Sequence, residues 1–411
     1  MSEIAEELRT KPVLVVAQGS EMMGLPVVRS LGRQGIKVDL AAVNPATLVR
    51  HSRYVQTFIP MDDPSHNVSR WLDWYRSTAT DKYAAVLPVS DRSLVPLHNH
   101  RHELPDTPPR LMVGDPEYQL SYDKAETVKV ATALGIPCPK TYTAHAIDEL
   151  DAAVDYFDGK FPLLLKPARS KYEHEDRIYS VGVKLAQNRE ELATFAQPLL
   201  ALGPLLIQEF LKGWEVAQAF LLNRGELIAA VQHRQMHEAL TGLGPGTYRR
   251  ADKVTQEIAE QSLSLLRSVA WHGIGQLDYL MTKEGKHYLL EINGRWWGSL
   301  PIFVALGVDL PWLWLSMEFG AQPQPCNSYR ASVYGRNLQR DVRWIKANLR
   351  ANHRDPSLKT VPRLRVLGEL AHMLTGRERW DEVTLDDPNP GFKLVQGWCG
   401  SAMRKILGRS G

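Results

Sequence analysis

The chain has 411 residues, 44% apolar and 23% charged, with a formal net charge of +3. That length accommodates two or three ordinary globular domains, and the near-balanced charge carries no general nucleic-acid signal. Its three cysteines (Cys138, Cys326 and Cys399) are far apart and form no CxxC pair, which excludes a disulfide framework and fits a reducing cytoplasm.

The N-terminus, Met-Ser-Glu-Ile-Ala-Glu-Glu-Leu-Arg, is polar and acidic and does not read as a signal peptide. Val13–Ala17 reads as a buried strand, followed by Gly19-Ser20 and a helix with Leu25, Val28 and Leu31 on one face. Gly35 ends that helix, and Ile36–Ala42 is the next strand. Ala84–Val89 is another, leading through Ser90-Asp91 into a helix. Such alternation predicts a parallel sheet with helical cover, with ligand positions at strand ends such as Ser20 and Asp91. Gly19-x4-Gly24 is too poor a GxGxxG to identify a dinucleotide site.

Ser121 is placed to cap a helix reaching about Leu134, with Gly135 and Pro137 ending it. Lys124 then falls in the first turn, where a cation is unfavourable unless an anion is shared with the free N–H groups. Lys166 ends the apolar strand Phe161–Lys166, where a half-buried ammonium needs a partner. Further strands are expected at Val181–Leu185, Pro204–Leu211, Val216–Leu222 and Glu226–Gln232, and a helix over 252–270. Clustered strands with few helices suggest an antiparallel α+β arrangement. Thr241–Arg250 is a Gly-rich loop with Arg249 and Arg250, readable as a surface hairpin or as a binder of an acceptor's carboxylate or phosphate.

Gln276–Thr282 and His287–Asn293 read as a hairpin closed by Lys-Glu-Gly-Lys. With Glu284-Gly285 as a two-residue loop, Asp278 opposes Glu291 and Gln276 opposes Asn293. Asp278, Glu291 and Asn293 then share one face. Opposed carboxylates, with Cβ atoms about 4.5–5.5 Å apart, repel unless a cation lies between them. Their oxygens suit a hard ion such as Mg²⁺. Gly294-Arg295-Trp296-Trp297-Gly298-Ser299 follows, as at a site opening from a strand's end, with Trp297 and Ser299 as candidate substrate contacts. Leu300–Phe319 is the most apolar stretch, but Asp309, Pro301 and Pro311 favour a buried helix pair over a membrane span. Beyond it Val342–Leu349 and Leu364–Leu374 read as helices and Asp386–Pro390 as a break. From Pro325 onward 16 Lys/Arg face 8 Asp/Glu, leaving the rest of the chain at −5. This basic region is either a solvated surface or a contact for an anionic carrier or membrane surface.

Lys124, Lys166, Glu209-Phe210-Leu211, Glu215, Asp278 and Leu289-Leu-Glu-Ile-Asn-Gly-Arg295, in that order, resemble the ATP-grasp superfamily, especially its carbamoyl-phosphate-synthase-like and biotin-carboxylase-like members. Ser121-Tyr-Asp-Lys-Ala and Gly135-Ile-Pro-Cys-Pro-Lys-Thr141 add to the likeness, which covers roughly residues 12–320. The resemblance implies an α/β and α+β chain. Residues 1–120 would form a Rossmann-like pre-ATP-grasp domain and 121–324 the ATP-grasp domain, with a lid subdomain at about 140–212 and a larger one at about 213–324. A basic, mostly helical region, 325–411, would follow.

The resemblance places Lys124 and Lys166 on ATP phosphates, Glu209 and the Phe210–Leu211 backbone at adenine, and Glu215 at ribose. It gives Mg²⁺ (two ions, with Mn²⁺ as a substitute) to Asp278, Glu291 and Asn293. Arg295, with Lys166, would serve the reacting acyl or phosphoryl group. Many members have a Gly-rich flap after the second lysine. Here Pro167–Ser180 has no glycine, so Ser170 and Lys171 are phosphate contacts by position only. The implied reaction is ATP-dependent activation of a small-molecule carboxylate as an acyl phosphate, which an amine then attacks. A bicarbonate-using carboxylase and a non-catalytic ATP-binding protein are the alternatives. Oligomeric state is left open, a homodimer among the possibilities.

Overall fold

The computed structural model describes residues 6–18, 21–240, 244, 246–326, 328–355 and 358–406. Four strands, β1 (Val13–Val16), β2 (Val38–Ala42), β3 (Val55–Pro60) and β4 (Ala85–Pro88), form a parallel sheet in the order β3-β2-β1-β4. Every residue of β1, β2 and β4 is buried. Val13 and Val15 pack into one core while Leu14 and Val16 pack into another. The sheet is therefore covered on both faces, which is why its strands read as continuous apolar runs. The helix Asp91–Asn99 starts at the carboxyl end of β4.

The helix expected to start at Ser121 is two helices, Asp115–Tyr122 and Lys124–Ala133. Asp123 is the cap between them, accepting from the N–H groups of Ala125 and Glu126. The Ser121 hydroxyl instead donates back to Glu117 O, at 2.7 Å. An acid one residue before Lys124 offsets the cation at the helix's positive end.

A small antiparallel sheet follows, built from β5 (Thr141–Ala144), β6 (Leu163–Pro167), β9 (Lys184–Ala186) and β10 (Leu205–Glu209) in the order β5-β10-β6-β9. Leu163 and Leu165 point into a core covered by the helices Leu150–Tyr156 and Arg189–Leu200. The alternate residues Leu164 and Lys166 face the opposite way, into a cavity.

Between β6 and β9 the glycine-free segment forms its own hairpin, β7 (Lys171–His174) and β8 (Arg177–Ser180). Its two-residue loop is Glu175-Asp176, both at positive φ (45° and 62°). That is the backbone a tight hairpin turn demands, usually from Asn or Gly. The hairpin docks on the first sheet's helical cover. Ile178 is buried in the core containing Val68 and Trp71. Asp176 accepts at its backbone oxygen from Val68 N and at its carboxylate from Ser69 N, both 2.8 Å, at the start of the helix Val68–Thr78.

The largest sheet holds β11 (Trp214–Asn223), β12 (Glu226–His237), β13 (Tyr248–Asp252), β14 (Gly273–Met281), β15 (His287–Asn293), β16 (Tyr334–Arg336) and β17 (Glu378–Trp380). Its order is β15-β14-β11-β12-β13-β16-β17, antiparallel except for the last pair. The region after 325 contributes helices at Leu338–Arg350, Arg363–Leu370 and Asn389–Ile406, together with β16 and β17.

Candidate active site

The β14–β15 hairpin keeps the expected pairing at the site by an unexpected route. Its loop has three residues, Lys283-Glu284-Gly285, closed by Thr282 N donating to Lys286 O at 2.8 Å, with Gly285 at φ 82°. Met281 therefore pairs with His287 and Tyr279 with Leu289, one residue off the two-residue-loop register. A bulge at Leu290 takes up the difference, so that Asp278 opposes Glu291 and Gln276 opposes Asn293. Leu290 and Glu291 both line the cavity as a result.

That cavity, about 450 Å³, lies between the small and large sheets. Leu164, Phe210, Leu211, Leu280 and Leu290 give it apolar walls, and Lys166, Glu209, Glu215, Asp278, Glu291 and Asn293 line it as well. Phe210–Gly213 leaves both ladders between β10 and β11. Gly213 is required there, because a Cβ would lie 2.2 Å from Met281 O. Glu209 has one oxygen engaged, accepting from Lys140 N at 2.7 Å.

A second, smaller cavity of about 60 Å³ adjoins the first. Glu291, Asn293 and Arg295 line both, and Asp91, Lys124, Ser170 and Lys171 line the smaller. The Lys124 ammonium donates to Ser170 Oγ at 2.7 Å, and Lys171 to Ser180 Oγ at 2.7 Å. Arg295 Nε donates to Asp91 Oδ1 at 2.7 Å, joining the hairpin's end to the first sheet's strand-end helix.

The electrostatics are those of a site short of cations. Asp278 is buried and its carboxyl stands well above the usual range, from burial first and then from Glu215 and Glu291. Glu215 is pushed up to about 7, by burial and then by Glu238 and Glu291. Burial holds Lys166 below the usual lysine range against the pull of Glu291, and Lys124 adds to the lowering. Asn293 Nδ2 donates to Asp278 Oδ2 at 2.9 Å and to Glu291 Oε1 at 3.4 Å, so both acids converge on one amide. Among the described residues no three His, Cys, Asp or Glu side chains form a metal cluster. Two carboxylates and an amide nevertheless fit a Mg²⁺ ion, which commonly takes one or two protein carboxylates and completes its shell with substrate phosphates.

Of the candidate substrate residues, Asp91 and Ser299 line the cavities, Ser299 Oγ donating to Gln276 Oε1 at 3.3 Å. Ser20, Thr241–Leu243 and Pro245 lie outside the described residues. Arg249 and Trp297 do not reach the site. Arg249 belongs to β13 rather than a loop, is fully buried, and pairs with Asp381. Trp296 and Trp297 both pack in the core, Trp297 edge-on to Phe303. An apolar neighbourhood and close packing hold these rings more strongly than an open pocket would.

Gln276, expected only as the residue opposite Asn293, also belongs to the site: Nε2 donates to Asp278 Oδ1 at 2.7 Å, and the residue lines the cavity. Strand alternation from Asp278 is the signal that identifies it.

Residues 201–339 match the family described as ATP-grasp in the biosynthetic pathway with Ter operon. The D-alanine–D-alanine ligase of Aquifex aeolicus is 29% identical over 182 residues, 42% of this chain and 58% of that one. The large chain of carbamoyl phosphate synthase from Pyrococcus furiosus is 24% identical over 304 residues, 68% of this chain and 27% of that one. The chain thus spans just over half the length of the first relative and about a quarter of the second. N5-carboxyaminoimidazole synthetase from Staphylococcus aureus, solved with ADP, superposes with a TM-score of 0.59 at 14% identity, covering 79% of this chain and 82% of that one. L-amino acid ligase from Bacillus licheniformis does so with a TM-score of 0.57 at 15% identity, over 77% and 75%. Two lysines and the Asp278–Glu291–Asn293 hairpin thus stand in a fold these proteins share, and residues 201–339, which hold the hairpin, carry the ATP-grasp family match.

Proposed function

We propose that this protein is an ATP- and Mg²⁺-dependent ligase that activates a carboxylate as an acyl phosphate and joins it to an amine, releasing ADP and phosphate. The observation that carries this reading is the junction of the two cavities, where the acid pair, the Lys124 and Lys166 side and Arg295 meet. Residues 1–120, 121–324 and 325–411 are its three units, with a lid at about 140–212, and the free cysteines suit a cytoplasmic setting. Among the described residues no helix is long and apolar enough to cross a membrane.

Adenine occupies the apolar slot beside Phe210 and Leu211, with Glu209 toward its amine, and Glu215 takes the ribose hydroxyls. Lys124, Lys166, Ser170 and Lys171 hold the phosphates. Asp278, Glu291 and Asn293 would hold Mg²⁺, two ions in this reading, with Mn²⁺ able to substitute. When bound, the metal neutralises charge on the transferring phosphoryl group. Arg295, fixed through Nε by Asp91, keeps guanidinium N–H groups for the carboxylate and its acyl phosphate. Gln276 orients Asp278, and the anchored β7–β8 hairpin excludes water from the smaller cavity.

ADP release screened over paired carboxylates and amines, with product masses, tests the proposal. Turnover that needs both partners is expected, and ADP formation that no pair stimulates would overturn it. The neighbour solved with ADP is an N5-carboxyaminoimidazole synthetase. Bicarbonate is accordingly the one acid to be run separately, since ADP formation driven by bicarbonate alone would favour the carboxylase.

A further inference from the structure

The region after Arg363 turns its acids inward and its apolar side chains outward. Glu369 pairs with His237, Glu378 with Arg336, Asp381 with Arg249, and Asp386 and Asp387 with Arg33 and Arg29. Glu382 accepts from the N–H groups of Leu338 and Gln339. All six carboxylates of residues 363–403 are thus committed to the body of the protein. Arg377, Arg379 and Lys393 are exposed and make no ion pair among the described residues.

The same stretch holds nine of the thirteen large apolar side chains exposed among the described residues, from Leu364 to Met403. On the helix Asn389–Ile406, Leu394 is buried while Phe392, Val395, Cys399 and Met403 are exposed. At about 100° per residue those four fall on one face and Leu394 on the opposite one. The apolar stripe of this helix therefore points to solvent. Beside it lies a groove of about 620 Å³ lined by Met373, Arg379, Trp380 and Leu385, with the ion-paired Glu378 and Asp381 also in its wall. The two are contiguous, since Val383 of the groove abuts Gly391 at the helix start.

We propose that this face docks the protein peripherally on an anionic lipid surface. Exposed apolar side chains in the same stretch as the unpaired Arg377, Arg379 and Lys393, with the acids of that stretch bound by other partners, match an interfacial segment beneath negative headgroups. A second copy of the same face would set cation against cation.

Sedimentation of the full chain with vesicles tests this, comparing pure phosphatidylcholine with a mixture about one-third phosphatidylglycerol. Binding to the anionic vesicles is expected to be at least about tenfold stronger and to fall with added salt. Phe392→Glu with Val395→Glu should abolish it, and Arg377→Glu with Arg379→Glu should weaken it about tenfold. The charge variant serves if the helix variant fails to keep the wild-type melting temperature. Absence of binding, equal binding to both vesicles, or binding untouched by the charge variant would overturn the proposal. So would a dimer in sedimentation velocity that Phe392→Glu disperses while vesicles capture nothing.

Discussion

Asp278 and Glu215 are carboxyls whose folded-state pKa values lie above their ordinary ones, and burial is the first cause of both shifts. A raised carboxyl contributes stability that is present below its unfolded pKa and is lost as pH rises through the folded one. Without divalent metal, the protein should therefore lose stability from these two acids between about pH 4.5 and pH 7 and beyond. Mg²⁺ held as proposed would require Asp278 to be ionised, so its stabilising effect should be larger at pH 8 than at pH 5.5. Thermal melts with and without Mg²⁺ at both pH values check this, and an equal shift at the two would contradict it. Asp278→Asn keeps the shape and removes the charge. It should lower metal-dependent ADP release on the order of a hundredfold or more, read from initial rates over a Mg²⁺ titration. Gly294→Ala is expected to displace Arg295, because a Cβ there would lie 2.6 Å from Ser121 Oγ. Much of this residue-scale chemistry was legible in the sequence, because strand alternation aligns Asp278, Glu291 and Asn293 whatever the tertiary fold. Arg249 and Trp297 were not legible. Arg249's place depends on Asp381, 132 residues away, and Trp297's on its packing edge-on to Phe303 in the core.

The β7–β8 hairpin stands where the resemblance noted in the sequence implies a glycine-rich flap, and it is held by its tip. Its strands lack the apolar runs that announce a strand, and its turn residues, Glu175 and Asp176, give a weak turn signal. Its docking partner, the helix Val68–Thr78, lies about a hundred residues earlier. No local pattern could have found it. Asp176→Ala removes the side-chain contact to Ser69 and should cost about 1 kcal/mol, as for other helix caps. Amide exchange across Lys171–Ser180 should then rise about fivefold, and unchanged protection would mean that Ile178 alone anchors the hairpin. The β14–β15 hairpin teaches a different lesson at this scale. Its loop length was misread by one residue, yet the bulge at Leu290 restored the pairing at the acids. Period-2 patterning fixes which side chains share a face more reliably than it fixes a turn.

At the scale of the whole molecule, the region after 325 is stapled across the fold by buried ion pairs. Arg29 donates to Asp387 and to the carbonyls of Asp381, Glu382 and Asp387, with Arg29 3% and Asp387 0% exposed at the side chain. Arg336 pairs with Asp341 and Glu378. Composition revealed the region's positive charge but not these contacts or the addition of β16 and β17 to the largest sheet. Asp387→Ala would strand a buried guanidinium and should cost about 3–5 kcal/mol, measurable by urea unfolding. A loss under about 1 kcal/mol would mean that the backbone carbonyls suffice. The parallel sheet, the small antiparallel sheet and the large sheet together bring Asp91, Lys124, Lys166 and the Asp278–Glu291–Asn293 hairpin to one junction, and that junction is proposed to make an acyl phosphate. Oxygen transfer tests this most directly, using the carboxylate found in the ADP-release screen labelled with ¹⁸O at both oxygens. The expected result is one ¹⁸O in the released phosphate for each ADP formed, with the other retained in the amide product. Released phosphate free of label would contradict carboxylate activation at this site.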